Sequence, residues 1–352
     1  MLMKMFYVGE KPVNDHNAGN KARLDISELL RRRYGESKVS FVDYKLDSLI
    51  ARIIHLLNIK RHFLIRYNIA QIKKQKDALM CVQYPYYTKT KIYTILEEAV
   101  KKNISIAIIH DIESLRLRNG YGIEKEIERL NNSAIVVTHN VLMTNLLRYY
   151  GLKTKVVELR VFDYLLSKQP KQKNYDLGRP IVFAGSLGKS GFLLDPRLST
   201  IDVQFNLYGP NMPDSLIHYD NVSYCGSFSP DELPFNLNGS FGLVWDGDCI
   251  DTCSGSLGEY LKINNPHKLS LYIAAGIPII VWEQAAVASL VEKYNIGVTV
   301  KSIEDIPRRI KGIRVEDYKN YLKNIRVLQN KVINGFFTNN ALIQCEELLC
   351  EK

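Results

Sequence analysis

The run Asn264-Asn265-Pro266-His267-Lys268, continuing through Leu271-Tyr272-Ile273-Ala274-Ala275-Gly276-Ile277-Pro278 into Ile279-Ile280-Val281-Trp282, decides the reading of the fold. It reads as a polar loop, a short helix, a Gly-Pro break and a buried strand. The loop is rich in hydrogen-bond donors and ends in a cation at a helix start. Such a start has N–H groups without intrahelical acceptors and the positive end of the helix dipole, so it favours an anion. Lys268 adds a point charge of the kind that binds phosphate. An ordinary αβ unit with a solvated loop uses the same residue types, so the context has to decide. Just upstream, Gly255-Ser256-Leu257-Gly258-Glu259-Tyr260-Leu261-Lys262 is small and polar, then aromatic. Gly258, Tyr260, Asn264, Asn265, His267 and Lys268 thus form a dense cluster before one helix.

Outward from this run, strands and helices alternate along the chain. The N-terminal half predicts strands at 5–8, 39–42, 78–83, 104–109, 134–138 and 156–158, with helices at 22–34, 90–102, 123–130 and 140–150. Ile104 to Ile109 is unbroken in apolar character, as expected of a strand buried on both faces of a parallel sheet. After Lys168–Gly178, which has no periodicity, the pattern restarts with strands at 180–184, 204–208, 222–225, 241–245, 279–282 and 298–300. The expected fold class is α/β, with two Rossmann-like domains facing a cleft. Residues 1–166 form the first domain, 167–178 the linker, 179–330 the second domain, and 331–352 a helix returning to the first.

With 352 residues, 46% hydrophobic and 24% charged, the chain has the composition of a soluble globular protein. No run of about 18 apolar residues predicts a spanning helix. The six cysteines lack paired CxxC spacing, which points to reduced cytosolic thiols and away from a metal site. A net charge of +10 favours anionic partners. Residues 52–76 carry seven Lys or Arg and no acid, interleaved with aliphatics and aromatics. This stretch reads either as a contact for anionic lipid or as a sheet-packed helix with a solvated cationic face. Nucleic acid is not expected, since no binding motif accompanies the charge.

Open α/β sheets place ligands at the carboxyl ends of their strands. Gly185-Ser186-Leu187-Gly188-Lys189 follows one strand and lacks the Walker A spacing. Tyr208-Gly209-Pro210 ends another and offers a ring to a base. Trp245-Asp246-Gly247-Asp248 ends a third; an Asx-type turn is its simpler reading and metal coordination the other. In the first half, Gly19, Asn20 and Lys21 lie between the first strand and helix, where Asn20 suits a helix cap. Gln83 and Tyr84 end the strand beside Ile104–Ile109. Asp111 follows Ile109 by two residues, a position for a general base. Glu113, Asp15 and His16 compete with it.

The runs His110-Asp111-Ile112-Glu113-Ser114-Leu115-Arg116, Trp245-Asp246-Gly247, Gly258 to Lys268 and Gly276 to Trp282 together resemble a bacterial GT-B glycosyltransferase family. It includes β-1,6-galactofuranosyltransferases of O-antigen assembly and glucosyltransferases that extend adhesin glycans. The likeness covers nearly the whole chain, including Ala18–Arg23. It implies a UDP-sugar donor bound by the C-terminal domain, an acceptor on the N-terminal domain, and no obligatory metal or cofactor. The expected activity is hexosyl transfer, of galactofuranose or glucose, to a saccharide hydroxyl. Glucosyl transfer to a protein-attached GlcNAc is the alternative; a non-catalytic nucleotide-sugar binder is the alternative of another class. The expected setting is a cytoplasmic homo-oligomer, peripheral at the membrane, with a lipid-linked acceptor left open.

Overall fold

The computed structural model describes residues 5–11, 18–37, 39–42, 59–86, 90–117, 122–168, 170 and 176–351. The first sheet is built from β1 (Met5–Lys11), β2 (Val39–Val42), β3 (Leu79–Tyr84), β4 (Ile104–Ile109), β5 (Ile135–Thr138) and β6 (Lys155–Glu158). Between them run α1 (Ala18–Tyr34), α2 (Ile59–Lys73), α3 (Thr90–Lys102), α4 (Glu113–Leu117), α5 (Ile123–Leu130) and α6 (Val141–Tyr149). The strand order is β2-β1-β3-β4-β5-β6, with every described pair parallel. Apolar residues at consecutive positions make this possible: from Ser105 to Ile109, β4 is buried on both faces.

The second sheet repeats the design with β7 (Ile181–Ala184), β8 (Phe205–Tyr208), β9 (Val222–Tyr224), β10 (Phe241–Val244), β11 (Ile279–Trp282) and β12 (Gly297–Val300). Its order is β12-β11-β10-β7-β8-β9, again parallel. Its helices are α7 (Leu233–Asn236), α8 (Gly255–Tyr260), α9 (His267–Ala275), α10 (Ala288–Lys293) and α11 (Ile306–Lys311). The order reverses between β7 and β10, and in the first sheet between β1 and β3. Such switch points open a crevice at the strand ends, because the flanking connections leave on opposite faces.

Two long helices close the chain, α12 (Val315–Ile333) and α13 (Phe336–Cys350). The break between them is Gly335, whose φ of +77° favours glycine. A Cβ there would lie 2.3 Å from a Leu29 methyl on α1, so the turn also fits against the first domain. Helix α13 then packs on α1 and β6, and the Arg33 guanidinium and Tyr34 hydroxyl both bond the Glu346 carboxylate. The Asp163 carboxylate, from the crossover between the sheets, accepts the Thr338 N–H at 2.7 Å and the Phe337 N–H at 3.2 Å. It thereby satisfies the first turn of α13.

Among the described residues, no helix is long and apolar enough to cross a membrane. Residues 43–58 and the candidates Asp15 and His16 lie outside the described residues, as does most of 169–175.

Candidate active site between the two sheets

Lys268 occupies the switch point of the second sheet. Its ammonium donates to Asp246 Oδ1 at 2.6 Å and to the Trp245 carbonyl at 3.1 Å, both just past β10. It lies 4.9 Å from the Phe183 ring centroid of β7. A Cβ on Gly185 would stand 3.0 Å from Lys268 Cε, so the glycine lets the lysine stem run along the β7 end. Ser186 follows in the same turn and is half-buried. Lys268 sits in the first turn of α9, whose opening N–H groups lack intrahelical acceptors. Its side chain is 16% exposed, so the charge is reachable but partly desolvated. A cation, a helix start and a glycine turn thus converge where the strand order reverses.

Other residues of the cluster have different partners. Asn265 is buried, and its side-chain N–H groups donate to the His139 carbonyl at 2.9 Å and the Arg160 carbonyl at 2.7 Å. Its Oδ1 accepts from Asn140 Nδ2 at 2.7 Å, and its backbone N–H donates to His139 Nδ1 at 3.0 Å. Both amide protons are thereby used, leaving none for a diphosphate. Asn265 is instead a strut between the sheets. The Tyr260 hydroxyl accepts the Ile112 N–H at 2.8 Å, also across the cleft. The His267 ring stacks on Tyr164 at 5.0 Å, and burial, with Lys21 nearby, lowers its pKa to about 3. The imidazole is therefore neutral. Among the described residues, His267 Nε2 and Asn264 Oδ1 are shielded from solvent and have no hydrogen-bond partner. Gly258 packs against the Cys253 backbone, and the Tyr208 hydroxyl accepts the Asn238 N–H at 3.1 Å. The Tyr208 ring is buried on the core side, 6.3 Å from Phe228.

In the first domain, Asp111 lies one residue past His110, whose N–H still donates to the Tyr84 carbonyl of the sheet. Its carboxylate accepts from Arg116 Nη1 at 3.0 Å, and 22% of the side chain is exposed. Burial raises its pKa to about 6 against the opposing pull of Arg116 and Arg23. It is therefore ionised at neutral pH yet more basic than an ordinary carboxylate. Its loop is held by Glu126 of α5, which accepts from the Ser114 N–H at 2.8 Å, the Glu113 N–H at 3.3 Å and the Tyr84 hydroxyl at 2.8 Å. Nothing in the sequence pattern distinguished Glu126 from the exposed acids of α5. His139 and Asn140 were equally missed, although they directly follow β5 and so carried a strand-end signal.

Three of the acceptor-side candidates, Tyr84, Gln83 and Lys21, bond other protein groups. Tyr84 is buried, with its hydroxyl spent on Glu126. The Gln83 amide donates to the Arg23 carbonyl and Ser27 Oγ, and its Oε1 pairs with His110 Nε2 at 2.7 Å. Lys21 is buried, bonding Asp25 at 2.7 Å, the Leu165 carbonyl at 2.8 Å and Asp231 of the second domain at 2.9 Å. Burial raises the Asp25 pKa to about 7. Asn20 does not cap α1: the helix starts at Ala18, placing Gly19 and Asn20 inside its first turn.

Comparison with known proteins agrees with this architecture. Sucrose-phosphate synthase from Thermosynechococcus elongatus superposes with a TM-score of 0.59 at 12% identity, covering 99% of this chain and all of that one. HepE from Anabaena, solved with UDP-glucose, gives 0.56 at 13%, with the same coverage. In sequence, β-1,6-galactofuranosyltransferase WbbI of Escherichia coli K12 is 30% identical over 349 residues, 96% of this chain and 97% of the relative. Glucosyltransferase 3 of Streptococcus gordonii is 29% identical over 68% of this chain and 69% of its own length. Residues 10–161 match the N-terminal domain of the Glucosyltransferase 3-like family, and residues 181–345 match its C-terminal domain. The chain belongs to this family of glycosyltransferases, with the GT-B fold of two facing Rossmann-like domains.

Proposed function

We propose that the chain moves a hexose, galactofuranose or glucose, from a UDP-sugar to a saccharide hydroxyl with inversion. The observation that carries this reading is Lys268 at the β7/β10 switch point, facing a domain whose Asp111 loop reaches α8. The names of the relatives support a hexosyl donor, and the UDP-glucose held by HepE supports the nucleotide class. Asp111 takes the proton of the acceptor hydroxyl. The freed oxygen pair bonds the anomeric carbon as the bond to the diphosphate breaks. UDP leaves with the electron pair, and Lys268 and the start of α9 offset its charge. Gly185 and Ser186 line the donor turn. This arrangement supplies positive charge from the protein, so no metal is invoked.

Helix α2 adds a surface to the proposal. Phe63 is 73% exposed beside exposed Tyr67, Arg66 and Lys73, an apolar and basic mixture suited to an anionic lipid surface and a lipid-linked acceptor. The activity test is incubation with UDP-galactofuranose or UDP-glucose and a panel of lipid-linked and GlcNAc-bearing acceptors. Acceptor-dependent UDP release above hydrolysis is expected. Nucleotide-sugar binding without release refutes the enzyme reading, and release only with protein-attached GlcNAc redirects the acceptor. Sedimentation of the same sample reads the homo-oligomer.

A further inference from the structure

The Asp111 loop is fastened from both domains. On its own side, His110 is tied to β3 and the Glu126 carboxylate holds the Glu113 and Ser114 N–H groups. Between these fixed points lies Ile112, fully buried, whose N–H is taken by the Tyr260 hydroxyl of the other domain at 2.8 Å. Tyr260 is itself buried at the end of α8, and α4 packs against that helix.

The donor sheet in turn fixes α8 at both ends. At its start, the turn after β10 presses on it: a Cβ on Gly247, where φ is +113°, would lie 2.3 Å from the Ser254 carbonyl oxygen. At its end, the Leu261 carbonyl accepts the Ala286 N–H at 2.8 Å. The same post-β10 turn carries Asp246, the partner of Lys268. One rigid element thus joins the Lys268 turn to the backbone beside Asp111.

We propose that Tyr260 is a positioning residue: by accepting the Ile112 N–H across the cleft, its hydroxyl aims Asp111 at the donor, so the base is in register only when the domains are closed on each other. This rests on Asp111 as the base. The hydroxyl is well suited to the task, since a buried backbone N–H without a partner is unfavourable and the loop has strong reason to stay on it. Tyr260→Phe keeps the ring and its packing and removes only the acceptor.

The test measures steady-state kinetics, UDP affinity and amide exchange on Tyr260→Phe, with Asp111→Asn alongside. The variant is expected to lose about ten- to a hundredfold in kcat, the cost of a small misplacement of a catalytic group. UDP affinity stays within about twofold, because uniform donor binding is untouched. Exchange at Ile112 speeds up. The acidic limb of the pH profile moves to lower pH, because water reaching the loosened carboxyl relieves the burial that raises its pKa. A general loss of stability would not move that limb. Wild-type kcat and wild-type exchange at Ile112, with Asp111→Asn inactive, overturn the inference alone. Loss of UDP affinity in Tyr260→Phe also overturns it and makes Tyr260 a donor contact. An active Asp111→Asn overturns the base reading itself and the inference with it.

Discussion

Replacing Lys268 by alanine tests the donor site most directly. In the structure its ammonium is held 2.6 Å from Asp246 and 3.1 Å from the Trp245 carbonyl, at a position where 16% of the side chain meets solvent. A hydrogen bond to a charged group contributes about 1.5–3 kcal/mol, which is roughly 10- to 150-fold in Kd. Lys268→Ala should fall toward the weaker-binding end, because the Asp246 carboxylate then faces the diphosphate without its counter-charge. The double variant Lys268→Ala/Asp246→Asn should recover part of the loss. Asp246→Asn alone should bind UDP at least as tightly as wild type, since the competing anion is gone. Calorimetric titration of UDP reads all four proteins, and melting curves confirm that each is folded. Equal UDP affinity in Lys268→Ala and wild type would refute the assignment of this switch point to the diphosphate.

Asp111→Asn keeps shape and removes the proton acceptor, so transfer should drop by about two to four orders of magnitude while UDP affinity holds; near-normal turnover would move the base elsewhere. Because the Asp111 pKa is raised to about 6, the carboxyl is protonated and idle below that pH, and kcat/KM should rise with pH through it; a flat profile from pH 5 to about 7 would contradict this. Asn265→Ala strips buried carbonyls of their donor and should cost about 2–4 kcal/mol in denaturant unfolding. If it instead leaves stability alone and weakens UDP binding, Asn265 touches the donor after all. Vesicles rich in anionic lipid should pellet the wild type at low salt and release it at high salt; charge reversal at Arg66, Lys73 and Lys74 should weaken pelleting, and a wild type that never pellets removes the membrane role of α2.

The strands and helices were largely legible because each reports a local pattern. Thr90–Lys102, Ile104–Ile109 and Ile123–Leu130 begin and end where periodicity places them. Differences sit at element ends. Helix α1 starts at Ala18 rather than Ala22, and the terminal helical region splits at Gly335, where a fit against Leu29 rather than any local preference sets the break. Helix α2 lies in the basic stretch 52–76, whose sequence allowed either a lipid contact or a helix with a solvated cationic face.

Site residues divide by the range of the interactions that define them. The candidates Lys268 and Asp111 stood out as charges at a helix start and two residues beyond a strand, and those positions follow from βα order alone. The same sequence signal also marked Asn265, Tyr260, Gln83, Tyr84 and Lys21, because a polar residue near a strand end looks alike whether it faces a ligand or another protein group. Their partners lie far along the chain: His139 is 126 residues from Asn265, and Ile112 is 148 from Tyr260. The sequence by itself determined two parallel sheets, their strand ends and the charges carried there. Only the tertiary structure decided which polar groups were spent in joining the sheets, since hydrogen-bond saturation depends on what the fold brings within 3 Å and not on residue type.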